Sequence, residues 1–429
     1  MNVREKAHEM KLVSPRMAAT SIDVRNAALE RIISSLEENK EKIFDANKSD
    51  LSFARENKIA EATLNRLKFG EAKLNDCISG IRSLIGLENP LGKITLNREL
   101  DDGLILKRIT VPIGVIGVIF EARPDALVQI ATLCIKSGNC AVLKGGKETE
   151  NTNDILFKLI ETAACGAGIP EGTLFRVSSH NEIDELLSCY GDVDLLIPRG
   201  SNKFVQYIMD NTKIPVMGHS SGICHIYIDS DFDKELAKRV IIDAKTQYPA
   251  ACNAVETVLI NRSIGEDFVR ELGDALNDAG VAIRGSKEVL DILGETDEKA
   301  VMDDGDFGCE YNDMIISLKY VDDVVQAVAH INKYGSHHTD CIITNSNDIA
   351  NYFATMVDSA GVYRNVSTRF ADGYRYGFGA EVGISTGKLH ARGPVGLDGL
   401  VTYKYMLSGN GDIVGDYASG KKTFKHRDI

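Results

Sequence analysis

From residue 111 onward, short apolar runs alternate with polar loops and helical patterns, and this alternation constrains the fold more than any other feature of the chain. The run at 115–120 is followed by a helical pattern at 125–136, a run at 140–143 and a helical pattern at 153–164. A run at 173–177, a helix near 182–187 and a run at 193–197 continue the series. A second series starts near Ser221, with strands expected at 224–228, 255–260, 314–318 and 341–344 and helices at 233–245, 265–279 and 321–333. Series of this kind fold into doubly wound parallel sheets, so the expected class is α/β with two interlocked doubly wound domains. Residues 1–90 read as helices, because Ile22, Leu29, Ile32, Ile33 and Leu36 recur at helical spacing. Two alternating runs, 93–96 and 104–109, joined through 97–103, suggest a β-hairpin that leaves the main body. A glycine-rich stretch, 372–399, precedes a last strand-like piece at 400–406.

A chain of 429 residues, 44% hydrophobic, can bury more than one core. Its net charge of −13 argues against nucleic acid or an anionic membrane as the main partner. No apolar signal core opens the sequence, and the longest apolar run, 111–120, is broken by Pro112, Gly114 and Gly117. The nine cysteines are odd in number and form no Cys-x-x-Cys pair, which indicates neither a disulfide framework nor a zinc site; a reducing cytoplasm fits.

One cysteine has the surroundings of a nucleophile. Cys252 lies in Gln247-Tyr248-Pro249-Ala250-Ala251-Cys252-Asn253-Ala254, a loop of small residues running into the apolar strand 255–260. A thiol in such a loop can meet a substrate, whereas Cys134, Cys140, Cys224 and Cys341 sit on apolar stretches that suit packing. Signals for a cofactor are of two kinds. Lys144-Gly145-Gly146-Lys147 follows a strand, at the end where parallel sheets bind ligands. Two lysines there suit a 2′-phosphate and hence NADP, although a solvated turn would read the same way. Gly200-Ser201 follows another strand and opens a helix, so its N–H groups suit a pyrophosphate or a plain helix cap. Gly114 and Gly117 do not form a Gly-x-Gly-x-x-Gly fingerprint and read as relief of strand packing.

Several ordered segments resemble the γ-glutamyl phosphate reductase family of the aldehyde dehydrogenase superfamily. They are 111–117 with Phe120-Glu121-Ala122-Arg123-Pro124-Asp125, the stretch from Val321 through His337-His338-Thr339-Asp340-Cys341-Ile342, Ser367-Thr368-Arg369-Phe370-Ala371-Asp372-Gly373, and Lys388-Leu389-His390-Ala391-Arg392-Gly393-Pro394. The resemblance implies a cofactor-binding domain over 1–220, with the hairpin 93–109 in a β-flap for oligomerisation. A catalytic domain over 221–380 and a return over 381–429 to the cofactor domain and an oligomerisation strand complete the expected plan. It implies NADPH-dependent reduction of L-glutamyl 5-phosphate to L-glutamate 5-semialdehyde by a cytoplasmic homo-oligomer, with the preceding glutamate kinase as a further partner. Bifunctional relatives carry that kinase ahead of this unit, and this chain has no room for one.

The residues carry over one by one. Cys252 is the expected nucleophile, acting as thiolate and titrating below the free value of about 8.5. Its own N–H and a side chain are expected to hold the carbonyl oxygen. Arg123, near the place of the superfamily's oxyanion asparagine, is expected to bind the departing phosphate; alternatively it pairs with Glu121 or Asp125. Lys144, Lys147, Gly200, Ser201 and Glu310 are expected at the cofactor, Glu310 on the nicotinamide ribose. Arg369 is the candidate for the substrate carboxylate, with His338 and Thr339 beside it. Asn365 matches an active-site asparagine of the superfamily without an assigned role. His337-His338 is not read as a metal site, since neighbours in sequence rarely point at one ion. Hydrolytic members place a glutamate about 34 residues before the cysteine to activate water. Here that count falls on Gly218, beside His219, which either substitutes as a base or bonds its neighbours. A thioester that is to be reduced needs no activated water. Competing readings are an ordinary or CoA-acylating aldehyde dehydrogenase and a non-catalytic scaffold.

Overall fold

A computed structural model describes residues 2–177, 182–218 and 221–429. The chain divides into two compact units, one formed by residues 1–217, 378–383 and 395–429, the other by 218–377 and 384–394.

The first unit is built on a four-stranded parallel sheet in the order Leu174–Val177, Cys140–Lys144, Val115–Phe120, Leu195–Arg199. Val115–Phe120 and Cys140–Lys144 are buried along their whole length, which is why they read as unbroken apolar runs rather than as alternation. The helix Pro124–Lys136 opens on a proline and is buried nearly all round. On the helix Ile22–Glu38, Leu29, Ile32, Ile33 and Leu36 form the buried stripe that their spacing predicts. Gly114 and Gly117 serve packing: a Cβ at Gly114 would lie 2.2 Å from Asp194 Oδ2, and one at Gly117 2.6 Å from Leu196 Cδ2.

An antiparallel sheet in the same unit runs in the order Val401–Ser408, Leu104–Pro112, Ile94–Asp101, Arg427–Asp428. The hairpin is tighter than the sequence suggests. Residues 97–101, read as part of the joining segment, continue the strand, and the turn is only Asp102-Gly103, with Gly103 at φ +71°. Charged Arg98 and Glu99 mask the strand; they meet Asp428 and Arg427 on the neighbouring strand. Val401–Ser408 is an edge of this sheet, and Tyr403, Tyr405, Met406 and Leu407 on it are all about half exposed.

The second unit holds a six-stranded parallel sheet in the order Gly361–Arg364, Thr339–Ile343, Cys224–Ile228, Val255–Asn261, Ile315–Val321, Ala282–Gly285. Successive side chains leave opposite faces. Ile226 and Ile228 join the core with Phe268 and Leu272, while Tyr227 joins Ile331 and Phe353 on the other side. The chain starts at Cys224–Ile228, adds Val255–Asn261 beside it and Ala282–Gly285 at the edge, inserts Ile315–Val321 between those two, then crosses to the other side for Thr339–Ile343 and Gly361–Arg364. The sheet is an α/β layer structure, as expected. No helix among the described residues is long and apolar enough to cross a membrane.

Candidate active site

Cys252 sits at the amino edge of the six-stranded sheet, between the helix Lys234–Thr246 and the strand Val255–Asn261. Two successive turns carry it, closed by Ala251 N–H to Tyr248 O at 3.2 Å and Ala254 N–H to Ala251 O at 2.9 Å. The cysteine is half-buried. Its imidazole neighbour is His338, the residue just before Thr339–Ile343: Sγ and His338 Nε2 are 3.2 Å apart. His338 is 1% exposed, and its Nδ1 lies 2.9 Å from Thr339 Oγ1. The strands led by Cys252 and His338 flank the central strand Cys224–Ile228 on its two sides. Cys252 thus lies at the amino end of a parallel sheet, opposite to the end that most such sheets use.

The loop is held from beneath and from one side. A Cβ at Gly222 would fall 2.1 Å from the Cys252 carbonyl oxygen, so only glycine lets the chain pass there. Cys224 Sγ donates to the same oxygen at 3.4 Å. Buried Asn253 donates to Ala371 O at 2.8 Å, and Thr368 Oγ1 donates to Asn253 O at 2.7 Å. Arg369 Nε donates to Gln247 Oε1 at 2.8 Å, its Nη1 donates to Asn253 Oδ1, and its guanidinium carbon is 5.9 Å from the centre of the Tyr248 ring. Burial lowers the Arg369 pKa, opposed in part by the Cys252 charge, which places the two within electrostatic reach. Arg369 therefore acts on the thiol electrostatically, while two of its nitrogens hold the thiol loop.

Behind the loop, Lys245 Nζ and Glu256 Oε2 are 2.7 Å apart, both side chains essentially inaccessible. Burial pushes the Glu256 carboxyl up to about 7; Lys245 opposes the shift and the charge of Glu310 adds to it. Glu310 thus lies within electrostatic reach of Glu256, on the strand that follows Cys252. The eight other cysteines are poorly suited to ionise. Burial raises every one of their thiols, those of Cys77, Cys134, Cys140 and Cys341 to about 12 and that of Cys189 to about 11, with Cys165, Cys224 and Cys309 also raised.

Asn365 falls away from this edge, and His337 stays at it with a partner of its own. Asn365 follows Gly361–Arg364 at the carboxyl end of the sheet, at φ +58°, and its side chain brackets Thr344 by accepting from the N–H at 3.0 Å and donating to the carbonyl at 3.0 Å. It caps the strand ends. His337, at φ +59°, turns its Nδ1 to Asp358 O at 2.5 Å, a different partner from that of His338. His219 lies outside the described residues.

In the first unit, the candidates gather at the carboxyl edge of the four-stranded sheet. Lys144 is buried, Nζ donating to Gly145 O at 2.6 Å, and burial lowers its pKa against the pull of Glu150, Glu148 and Glu182. Lys147 is exposed, its Nζ 6.0 Å from the Phe53 ring centre. Ser201 N–H donates to Glu121 Oε2 at 3.0 Å, so a carboxylate already occupies the start of the helix Asn202–Asp210. A Cβ at Gly200 would meet the same oxygen at 2.5 Å. Arg123 is the N-cap residue of Pro124–Lys136. Among the described residues it makes no ion pair, since Asp125 turns to Lys73 at 3.4 Å and Glu121 to Ser201.

Comparison with known proteins identifies the lineage. The profile of the aldehyde dehydrogenase family matches residues 1–283. The chain is 51% identical to the γ-glutamyl phosphate reductase of Ruminiclostridium cellulolyticum, over 99% of this chain and 98% of that protein. The chain belongs to the γ-glutamyl phosphate reductase family of aldehyde dehydrogenases. The reductase of Acetivibrio thermocellus is 53% identical over 99% of this chain and 98% of its own length. The crystal structure of the γ-glutamyl phosphate reductase of Thermotoga maritima superposes with a TM-score of 0.92 at 35% identity, covering 95% of this chain and 99% of that one. An acetylating aldehyde dehydrogenase of Geobacillus thermoglucosidasius, 14% identical, shares the fold with a TM-score of 0.65 over 96% of this chain and 97% of its own. The fold is aldehyde-dehydrogenase-like, as the resemblance implied.

Sequence reasoning missed the residues that build the thiol loop: Gly222, Cys224, Asn253, Thr368 and the Lys245–Glu256 pair. The contact of the His338 imidazole with the Cys252 sulfur was also not foreseen. The only local signal for these was the company of Thr368 with Arg369 and of His338 with Thr339 in the quoted segments.

Proposed function

We infer that the chain reduces L-glutamyl 5-phosphate to L-glutamate 5-semialdehyde with release of phosphate, using NADPH and a thioester on Cys252. The observation that carries this reading is the setting of Cys252: a half-buried thiol against a buried imidazole, with Gly218 where hydrolytic enzymes need a carboxylate. The names of relatives half identical over the whole chain agree with it.

In this mechanism the Cys252 thiolate attacks the γ-carbonyl carbon and the carbon–oxygen bond to phosphate breaks. NADPH, when bound, supplies the hydride that turns the thioester into a thiohemiacetal. Collapse then returns the electron pair to sulfur and frees the aldehyde. The Cys252 N–H and a side chain hold the carbonyl oxygen as charge develops on it. Arg123, uncommitted to its acidic neighbours, is suited to grip the departing phosphate through two parallel hydrogen bonds. Arg369 already holds the thiol loop and lies within electrostatic reach of the sulfur, so the α-carboxylate of the substrate would take the place of Gln247 on it. His338 and Thr339 complete that side.

The cofactor residues fit the group. An exposed Lys147 beside the buried Lys144 suits the 2′-phosphate of NADP, and Gly145 and Gly146 let the turn pass close against Asn153 and Glu148. Gly200 and Ser201 suit the pyrophosphate once Glu121 yields the Ser201 N–H. Glu310 is assigned to the nicotinamide ribose. The half-exposed apolar edge Val401–Ser408 suits a second copy of the chain, making a homo-oligomer through the flap. The kinase that makes the labile substrate is a natural further partner, and a cytoplasmic location fits both. In the reverse assay, reduction of NADP by glutamate semialdehyde should require inorganic phosphate. Stimulation by coenzyme A in its place, or release of free glutamate without phosphate, would overturn the reading.

A further inference from the structure

We propose that His338 is a catalytic residue: its Nε2 takes the Cys252 proton and holds the resulting thiolate in an ion pair. The proposal rests on the reading of Cys252 as nucleophile and goes beyond it by naming what activates the thiol. Three observations support it. Nε2 is 3.2 Å from Sγ, within hydrogen-bond reach for sulfur. The imidazole is 1% exposed, so water does not compete well for that nitrogen. Finally, Nδ1 is 2.9 Å from Thr339 Oγ1. A hydroxyl oxygen accepts a hydrogen bond, so Thr339 can hold the proton of a neutral imidazole on Nδ1 and leave the Nε2 lone pair facing the thiol.

The architecture fixes this pairing. Cys252 and His338 stand before the two strands that flank Cys224–Ile228, so strand order brings them to one edge and the turns that carry Cys252 complete the approach. Asp340, two residues into the His338 strand, accepts from His225 N–H at 2.7 Å and lies 3.0 Å from His225 Nδ1, tying that strand to the central one. Around the pair stand Arg369, with Asp372, Asp243 and Arg375 acting on it, then Cys224 and the buried His225–Asp340 couple.

The proton balance is complete. The S–H bond breaks and its proton moves to Nε2, while the electron pair stays on sulfur and forms the bond to the acyl carbon. Phosphate leaves with the carbon–oxygen electron pair and takes a proton from solvent. When the thiohemiacetal collapses, the pair returns to sulfur and meets the imidazolium again. His338 therefore keeps its proton from one turnover to the next, and no water needs to be activated near the thioester.

The test is the rate of iodoacetamide alkylation at Cys252 across pH, quantified on the peptide that carries it so that the other cysteines do not count. Wild type should react through neutral pH with a midpoint below the free-thiol value of about 8.5. His338→Gln should move the midpoint up by a unit or more, a loss of about tenfold in rate at pH 7. Thr339→Val should give a smaller shift in the same direction. An unchanged midpoint in His338→Gln overturns the proposal. Should that variant not fold, the imidazole of wild-type His338 followed by NMR decides: its pKa should fall when Cys252 is capped as a methyl disulfide, and constancy overturns the proposal equally. Alkylation needs no acyl phosphate, so a negative result here leaves the reductase reading standing, and failure of the phosphate-dependent assay leaves this profile intact.

Discussion

The thiol loop shows how much of a site can rest on residues without chemistry of their own. Gly222 makes no hydrogen bond to substrate in any reading, yet its missing side chain lets the Cys252 backbone approach to within 2.1 Å of where a Cβ would be. Gly222→Ala should therefore push the loop off its support and lower kcat/KM at least tenfold, while NADPH affinity, measured by titration, stays within twofold. Loss of both in equal measure would contradict a local role. Cys252 itself was legible because small residues beside a strand leave a thiol accessible. The contact of His338 with a sulfur 86 positions away depends on strand order, which neighbouring letters do not carry. Gly222 left no mark at all, because a glycine required by a distant backbone looks like any other glycine.

Elements buried on both faces were the easiest to read. Val115–Phe120, Cys140–Lys144 and Cys224–Ile228 appear as apolar runs because both faces meet protein. The strands of the six-stranded sheet that sequence reading missed, Ala282–Gly285 and Gly361–Arg364, are its two edges and are only partly buried, so they lack that signature. The helices Lys287–Leu293 and Asn347–Met356 beside them were missed as well, the first for its brevity. Between the helix Lys234–Thr246 and the strand Val255–Asn261, the buried Lys245–Glu256 pair closes the segment that bears Cys252. Removing one partner strands the other charge in the interior. Glu256→Leu should cost about 3–5 kcal/mol in urea unfolding followed by circular dichroism, and Lys245→Met with Glu256→Leu should recover most of it. Equal loss in the single and double variants would show that packing, and not charge, dominates there.

At the scale of the whole molecule, one buried imidazole should make stability fall in acid. His330 packs against Phe307, Tyr334 and His225, and burial pushes its pKa down to about 3. Below the ordinary value near 6.5 the unfolded chain takes up a proton that the folded imidazole refuses. The stability tied to this group is thus complete above pH 6.5 and lost as pH falls toward 3. Between pH 6.5 and 5 the loss should be about 2 kcal/mol, and His330→Phe should remove that slope from the unfolding free energy. An unchanged slope would assign the acid limb to other groups. The α/β class was legible from alternation along the chain, whereas the pairing of Arg98 with Asp428, 330 positions apart, had no local trace. The central claim concerns neither stability nor shape but the fate of the acyl group. Protein mixed with glutamate kinase, glutamate and ATP, without NADPH, and analysed by peptide mass spectrometry, should carry a glutamyl group on Cys252 that added NADPH discharges as semialdehyde. No adduct at Cys252, or an adduct that leaves as free glutamate when NADPH is added, would contradict the account.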